Sequence, residues 1–184
     1  LVHTGIIDAA QCDYQRISRI AVHPDFQQKG WGQYLLKCAV AEMTDDTDVV
    51  GVSFAMSEDL LHFWHKAGFE TVRLGQHRDE VSGSLSVMML KALTPRGQTL
   101  VDKARKILSC QWSFLLSRQW DELDAESVIQ ISQTLLDDET FSIDVLPQIQ
   151  SFAFKQRPYE SSEWALWQWF RSQLSSPGFE QLHK

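Results

Sequence analysis

RISRIAVHPDFQQKGWGQYLLKCAV, residues 16–40, reads as a strand, a tight turn, a glycine-bearing loop and a helix. Ile17, Ile20, Ala21 and Val22 form a short apolar run with β-branched residues, which predicts a buried central strand. His23-Pro24 ends it, because proline has no N–H for a ladder and restricts the residue before it. Gln27-Gln28-Lys29-Gly30-Trp31-Gly32 follows. Behind this loop, Tyr34, Leu35, Ala39 and Met43 recur at helical spacing, and Leu36 and Val40 widen the apolar stripe.

The loop has two physical readings. A helix N-terminus presents unpaired N–H groups and partial positive charge, which attract phosphate. Glycine at 30 and 32 lets backbone N–H groups approach an anion without an intervening side chain. The other reading is a tight strand-to-helix turn that holds no ligand. Residues 49–54 predict a second apolar strand. After it, Trp64-His65-Lys66-Ala67-Gly68-Phe69 closes a further helix, with Gly68 as a left-handed C-cap.

The spacing Q-x-x-G-x-G directly after a strand resembles the pyrophosphate-binding signature of the GNAT N-acetyltransferases. The pattern aromatic-x-Lys-x-Gly-Phe resembles that family's closing helix and the turn into its next strand. RISRIAVHP, VSFAMSEDLLHFWHKAGF and the segment Arg73-Leu74-Gly75-Gln76-His77-Arg78 together resemble one subfamily, the tRNA(Met) cytidine acetyltransferases. The resemblance covers residues 16–90 and continues more loosely through Ser151-Phe152-Ala153-Phe154 and Arg157-Pro158. It implies acetyl-CoA as cofactor and tRNA(Met) as partner. It also implies N4-acetylcytidine at the wobble position as product, with ATP used by a helicase-like module outside this chain. A cytoplasmic location is expected from the cysteines, which are few, odd in number and widely spaced.

The resemblance also implies site residues. Ile20, Ala21 and Val22 would meet the pantetheine arm through main chain, in a gap where two strands splay. Gln27, Gln28, Lys29, Gly30, Trp31, Gly32 and Gln33 would cradle the pyrophosphate. Asp59 and Lys66 match positions near the cofactor. The Lys66 position is often arginine in the subfamily, so lysine keeps the charge and loses the bidentate fork. The family shares no universal base. His62, His65 and His77 are candidates by residue type, and His77 stands out because it lies in the family-like segment. The bland reading of each is a surface or structural histidine.

Apolar residues make up 43% of the chain and charged residues 22%, ordinary values for a globular protein. No apolar run approaches the ~20 residues of a membrane span. The net charge is −7. Residues 1–92 carry 8 Lys and Arg against 12 Asp and Glu, and residues 93–184 carry 9 against 12. Neither half has the basic balance of a strong nucleic-acid binder, so most phosphate contacts would lie elsewhere or in a local patch. Cys12, Cys38 and Cys110 form neither a disulfide framework nor a zinc pattern and read as free thiols. No metal constellation and no G-x-x-x-x-G-K-[ST] loop occurs.

The expected fold class is α/β, a partial GNAT fold with a mixed sheet, followed by an all-α segment. Residues 1–92 read as the C-terminal half of an acetyltransferase domain, and residues 93–184 as a helical tail with a possible tRNA-binding role. The chain begins at Leu1 rather than Met and has almost nothing ahead of the first strand. It therefore reads as a fragment, inactive alone, whose exposed sheet edge invites dimerisation.

Residues 1–15 predict a short helix or loop. Residues 70–74 and 85–90 predict strands, joined by a polar connection over 76–84. Thr94-Pro95 signals a helix start, with Thr capping and Pro in the first turn, running to about residue 120. Its basic side, Arg96, Lys103, Arg105 and Lys106, reads as a solvated face or an RNA contact. Asp124 opens a second helix, and Asp137-Asp138-Glu139 forms an acidic turn after it. Ser142 opens a third, with Val145, Ile149, Phe152 and Ala153 inward. Pro158 ends that segment, and Ser161 or Ser162 caps a fourth helix. Five of the seven tryptophans lie after Ala92. They read as helix-core packing, as an apolar face for a missing segment, or as base-stacking platforms. Two alternatives stay open for function: a GNAT enzyme acting on a protein or small amine, and a non-catalytic interaction module.

Overall fold

The computed structural model describes residues 1–2, 5–43, 46–78, 84–121, 123–135 and 144–174. A 3-10 turn (Ile7–Gln11) leads into strand β1 (Tyr14–Arg16). A second 3-10 turn (Pro24–Phe26) precedes helix α1 (Trp31–Ala41). Then come β2 (Val49–Ala55), α2 (Glu58–Lys66), β3 (Glu70–Arg78) and β4 (Leu85–Ala92). Helices α3 (Pro95–Leu116), α4 (Ala125–Thr134), α5 (Leu146–Ala153) and α6 (Tyr159–Leu174) follow.

The strands form one mixed sheet of order β1-β2-β4-β3. β1 is parallel to β2, and the β2–β4 and β4–β3 pairs are antiparallel. This is the expected α/β class followed by helices. The pleat sorts the core into two sides. Val50 and Val52 of β2 join Leu36 of α1 and Leu61 and Trp64 of α2. Val49 faces the other way, toward Leu100, Val101 and Ala104 of α3. Burying side chains of this size stabilises by roughly 1.5–3 kcal/mol each.

The first strand is not where the apolar run predicts it. β1 is the polar, exposed Tyr14-Gln15-Arg16, at the sheet edge. The Ile17 N–H donates to the Gly51 carbonyl at 3.0 Å, and residues 18–22 then continue without strand pairing. Ile17 and Ile20 pack sideways against the core instead, Val22 is half-buried and Ala21 is exposed. An apolar β-branched run suits any half-buried extended segment, paired or not.

Helix α1 turns inward only part of the expected stripe. Tyr34 is 59% exposed and Leu35 44%, and Ala39 is exposed too. Leu36 is buried, and Val40 and Met43 pack beside it. The inward face runs 32-36-40-43, set by the contact of Gly32 with α2.

Helix α3 starts as expected. The Thr94 hydroxyl accepts from the Gly97 N–H at 3.1 Å and donates to Asp48 Oδ1 at 2.6 Å. Asp48 Oδ2 accepts from the Asp13 N–H at 3.1 Å. Asp48 is only 6% exposed. The Thr94 hydroxyl, and after it the Asp13 N–H, hold its carboxyl below the usual carboxylate range, with a smaller contribution from Arg96. One carboxylate thus joins the starts of β1, β2 and α3. Arg96 and Lys103 of α3 keep solvent-exposed side chains, as a solvated face would, while pairing with acidic neighbours, and Arg105 is mostly buried. Arg96 lies 3.7 Å from Asp48, Lys103 3.2 Å from Asp8 and Arg105 3.3 Å from Glu70.

The helical part departs from expectation in three places. Helix α3 ends at Leu116, and Trp120 folds back to donate its indole N–H to the Gly75 carbonyl at 2.9 Å. In α5, Gln148 is buried and Ala153 is exposed. Helix α6 begins at Tyr159, directly after Pro158, so Ser161 and Ser162 are not caps; both hydroxyls donate back to the Pro158 carbonyl. The acidic turn Asp137-Asp138-Glu139, the predicted helix start at Ser142 and residues 175–184 lie outside the described residues. Trp112, Trp120 and Trp164 are core, whereas Trp167 and Trp169 are exposed.

A methyl group on Gly97 would sit 2.0 Å from the Asp48 carbonyl oxygen, which is backbone and has little room to move. Gly97→Ala is expected to lower unfolding free energy by about 3 kcal/mol or more, read from urea melts.

Candidate functional site

The segment that leaves β1 passes beside the start of α1. Gly30 is the N-cap of α1, at φ +84°, with no capping side chain. The N–H groups of Trp31, Gly32 and Gln33 precede the first helical rung, in which the Tyr34 N–H reaches the Gly30 carbonyl at 3.0 Å. A Cβ on Gly30 would meet nothing within 4 Å, so the space over the helix start is open.

The two glycines differ in what they do. Gly30 supplies the left-handed turn. Gly32 supplies close packing, since a Cβ there would lie 3.0 Å from Phe63 Cε2 and 3.8 Å from Val22 Cγ2. The Gln33 side-chain amide donates to the Phe63 carbonyl at 2.7 Å and ties α1 to α2.

Two loop side chains bond to the chain's own backbone. Gln27 Nε2 donates to the Val22 carbonyl at 2.9 Å. Lys29 Nζ donates to the Asp25 carbonyl at 2.7 Å and lies 5.7 Å from the centre of the Phe26 ring. Gln28 takes a left-handed φ of +56°. The structure therefore gathers Gly30, Trp31, Gly32 and Gln33 at the helix start, through backbone rather than side chains. Ile20, Ala21 and Val22 lead up to it.

Asp59 is exposed in the first turn of α2. Lys66, also exposed, lies at the other end of α2, about 10 Å along the axis. Lys66 lines a groove of about 430 Å³ together with Gln33, Tyr34, Lys37, Val40 and Lys91. Lys37 and Lys91 were not expected there. Lys37 is four residues after Gln33, hence on the same helix face, and that spacing was a usable signal. Lys91 arrives from β4, and nothing local in the sequence announces it. Its Nζ donates to the Ala67 carbonyl at 2.7 Å.

Among the histidines, His62 is exposed. His65 Nε2 lies 3.3 Å from Thr71 Oγ1, and desolvation lowers its pKa below the ordinary histidine value. His77 belongs to β3, and its side chain lies outside what the structure describes. Among the described residues, no group of three or more His, Cys, Asp or Glu could hold a metal ion. No helix among them is long and apolar enough to cross a membrane.

Residues 33–94 match the family model GNAT acetyltransferase 2. The match takes in helix α1 from Gln33, strands β2 to β4 and helix α2, so this part of the chain is similar to the GNAT acetyltransferases. The particular proteins this chain is similar to are tRNA(Met) cytidine acetyltransferases. It is 34% identical over 182 residues to tRNA(Met) cytidine acetyltransferase TmcA of Vibrio cholerae, covering 97% of this chain and 24% of that protein. Identity to the Yersinia pestis protein of the same name is 32% over 165 residues, 87% of this chain and 22% of the relative. The Haemophilus influenzae protein is 42% identical over 104 residues, 56% of this chain and 15% of the relative. The chain spans about a quarter or less of the length of these curated relatives. The family match starts at Gln33, whereas the alignment to the Vibrio cholerae protein is long enough to include the loop before it.

The two glycine roles separate experimentally. Gly30→Ala is expected to cost about 1–2 kcal/mol of stability through left-handed strain alone. Gly32→Leu is expected to cost more, and to perturb the Phe63 ring resonances in NMR spectra while Gly30→Ala leaves them in place.

Proposed function

We propose that this chain supplies the acetyl-CoA-binding part of an enzyme that acetylates N4 of the wobble cytidine in elongator tRNA(Met). The observation that carries the reading is a juxtaposition. A segment with no strand pairing, residues 18–22, lies beside a glycine-opened helix start with no capping side chain, Val22 Cγ2 being 3.8 Å from where a Cβ on Gly32 would sit. The N–H groups of Trp31, Gly32 and Gln33 suit a pyrophosphate. Main-chain groups over residues 18–22 suit an extended amide-bearing arm, which hydrogen-bonds like a strand. Lys37 and Lys66 place positive charge along the adjoining groove. Ile20, Ala21, Val22 and residues 27–33 are therefore retained as cofactor contacts, with Gln27 and Lys29 acting by shaping the loop. Asp59, at the start of α2, is retained beside them.

Acetyl-CoA would supply an activated thioester. Transfer would break its C–S bond and form the N–C bond to cytosine, with the proton lost by the exocyclic amine ending on the departing thiolate, which leaves as coenzyme A thiol. That amine is a weak nucleophile because its lone pair is delocalised into the ring, so placement and a proton acceptor matter. His77 is the candidate acceptor in this chain. In this reading residues 1–92 are the cofactor half of an acetyltransferase domain and residues 93–184 a helical tail toward the RNA. ATP use falls to polypeptide outside the chain, and the enzyme works in the cytoplasm.

Isothermal calorimetry tests this on the chain and on the full-length protein that carries it. Acetyl-CoA is expected to bind, and the Gly30→Ala, Gly32→Ala double variant to bind at least ten-fold more weakly. Absence of binding in both proteins, or equal binding by the variant, would overturn the assignment.

A further inference from the structure

A cationic cleft lies on the α3 side of the sheet, away from the α1 loop. Strand β3 is irregular where it crosses this region. Thr71 pairs with Met89 and Arg73 with Met88, so Val72 is an extra residue in the ladder. Val72 and Arg73 then both face α3. Arg73 lines a narrow cleft with Gln111, Trp120, Arg157, Glu160 and Trp164. Its open space is about 40 Å³, enough for one small oxyanion and too little for a nucleoside.

Arg157 is 7% exposed. Its Nη2 donates to the Ser161 carbonyl, and its buried Nε has no hydrogen-bond partner. Burial pushes its pKa down to about 10, and the charge of Arg73 acts in the same direction. Among the described residues neither guanidinium has a carboxylate within ion-pair distance, the Glu160 carboxylate included. Two like charges share one low-dielectric cleft, and a buried charge without a partner is strongly unfavourable. An anion between them removes both penalties. Guanidinium forks match phosphate oxygens in pairs, and the first turn of α6, lining the same cleft, adds positive potential. Arg73 opens the segment 73–78 and Arg157 precedes Pro158, both stretches where the family resemblance is carried.

We propose that the Arg73–Arg157 cleft is a second phosphate site, separate from the cofactor loop, that takes one phosphate group, free or carried on an RNA backbone. Trp120 and Trp164 line it, so tryptophan fluorescence reports its occupancy. The probes are inorganic phosphate and a short oligoribonucleotide, each against chloride at equal ionic strength. The full chain is expected to give a saturable fluorescence change and a rise of several degrees in Tm with phosphate. Arg73→Gln is expected to weaken binding at least ten-fold with unchanged far-UV circular dichroism. Arg157→Lys, which keeps the charge and loses the fork, is expected to weaken it as well. The response is expected to persist in Gly30→Ala, Gly32→Ala, which separates this site from the cofactor loop. Competition by the oligoribonucleotide, with the same dependence on Arg73, identifies a backbone phosphate; binding of inorganic phosphate alone identifies a free ion. No saturable response to either probe, or undiminished binding by Arg73→Gln, would overturn the proposal.

Discussion

The separation of β1 from β2 is the constraint on which the candidate site depends. The pair is held firmly at its beginning. The Asp13 carbonyl accepts from the N–H groups of Asp48 and Val49 at 3.0 and 3.2 Å. It is released at the Ile17–Gly51 bond, only a few residues later. Beyond that point the backbone of residues 18–22 has donors and acceptors that the ladder does not use. Such groups must meet water, side chains or a ligand. Gln27 takes one of them, the Val22 carbonyl. The same departure carries the chain past Gly32 and delivers it to the start of α1. Strand parting and an open helix start are thus one geometric event.

The other side of the sheet fixes this geometry in place. Asp48 collects Asp13, Thr94 and Arg96 at the start of β2, and Gly97 lets α3 press against its backbone. This joint anchors the paired end of β1, so the strand cannot slide to restore pairing further along. Helix α3 then covers one side with Leu100, Val101, Ala104 and Ile107. Lys103 and Arg105 of this helix pair with Asp8 of the N-terminal segment and Glu70 of β3. On the readings proposed above, contacts to phosphate would come from backbone N–H groups, the lysines beside α1 and the arginines of the α6 cleft. That fits an acidic chain, whose average charge repels nucleic acid.

What the sequence disclosed follows a physical division. Local signals were legible because each carries its own mechanism. Thr94-Pro95 caps α3, Asp124 caps α4, Gly68 turns left-handed at φ +80°, and Gly30 opens α1. Pairing was not legible. The run Ile17 to Val22 looks like a strand because extended, half-buried backbone favours the same residues whether or not a neighbour bonds to it. The inward face of α1 was read too broadly: Leu36, Val40 and Met43 of the apolar stripe pack inward, whereas Tyr34 and Leu35 are apolar yet exposed. Lys91 beside Lys66, and Trp120 against Gly75, depend on contacts distant in sequence that no spacing rule encodes.

The most direct test of the account is amide hydrogen exchange with and without acetyl-CoA, read residue by residue. The account predicts that exchange slows at Trp31, Gly32 and Gln33 and along residues 18–22, while the amides of α4 and α5 are unchanged. Protection confined to other elements, with these two segments unaffected at saturating acetyl-CoA, would contradict it.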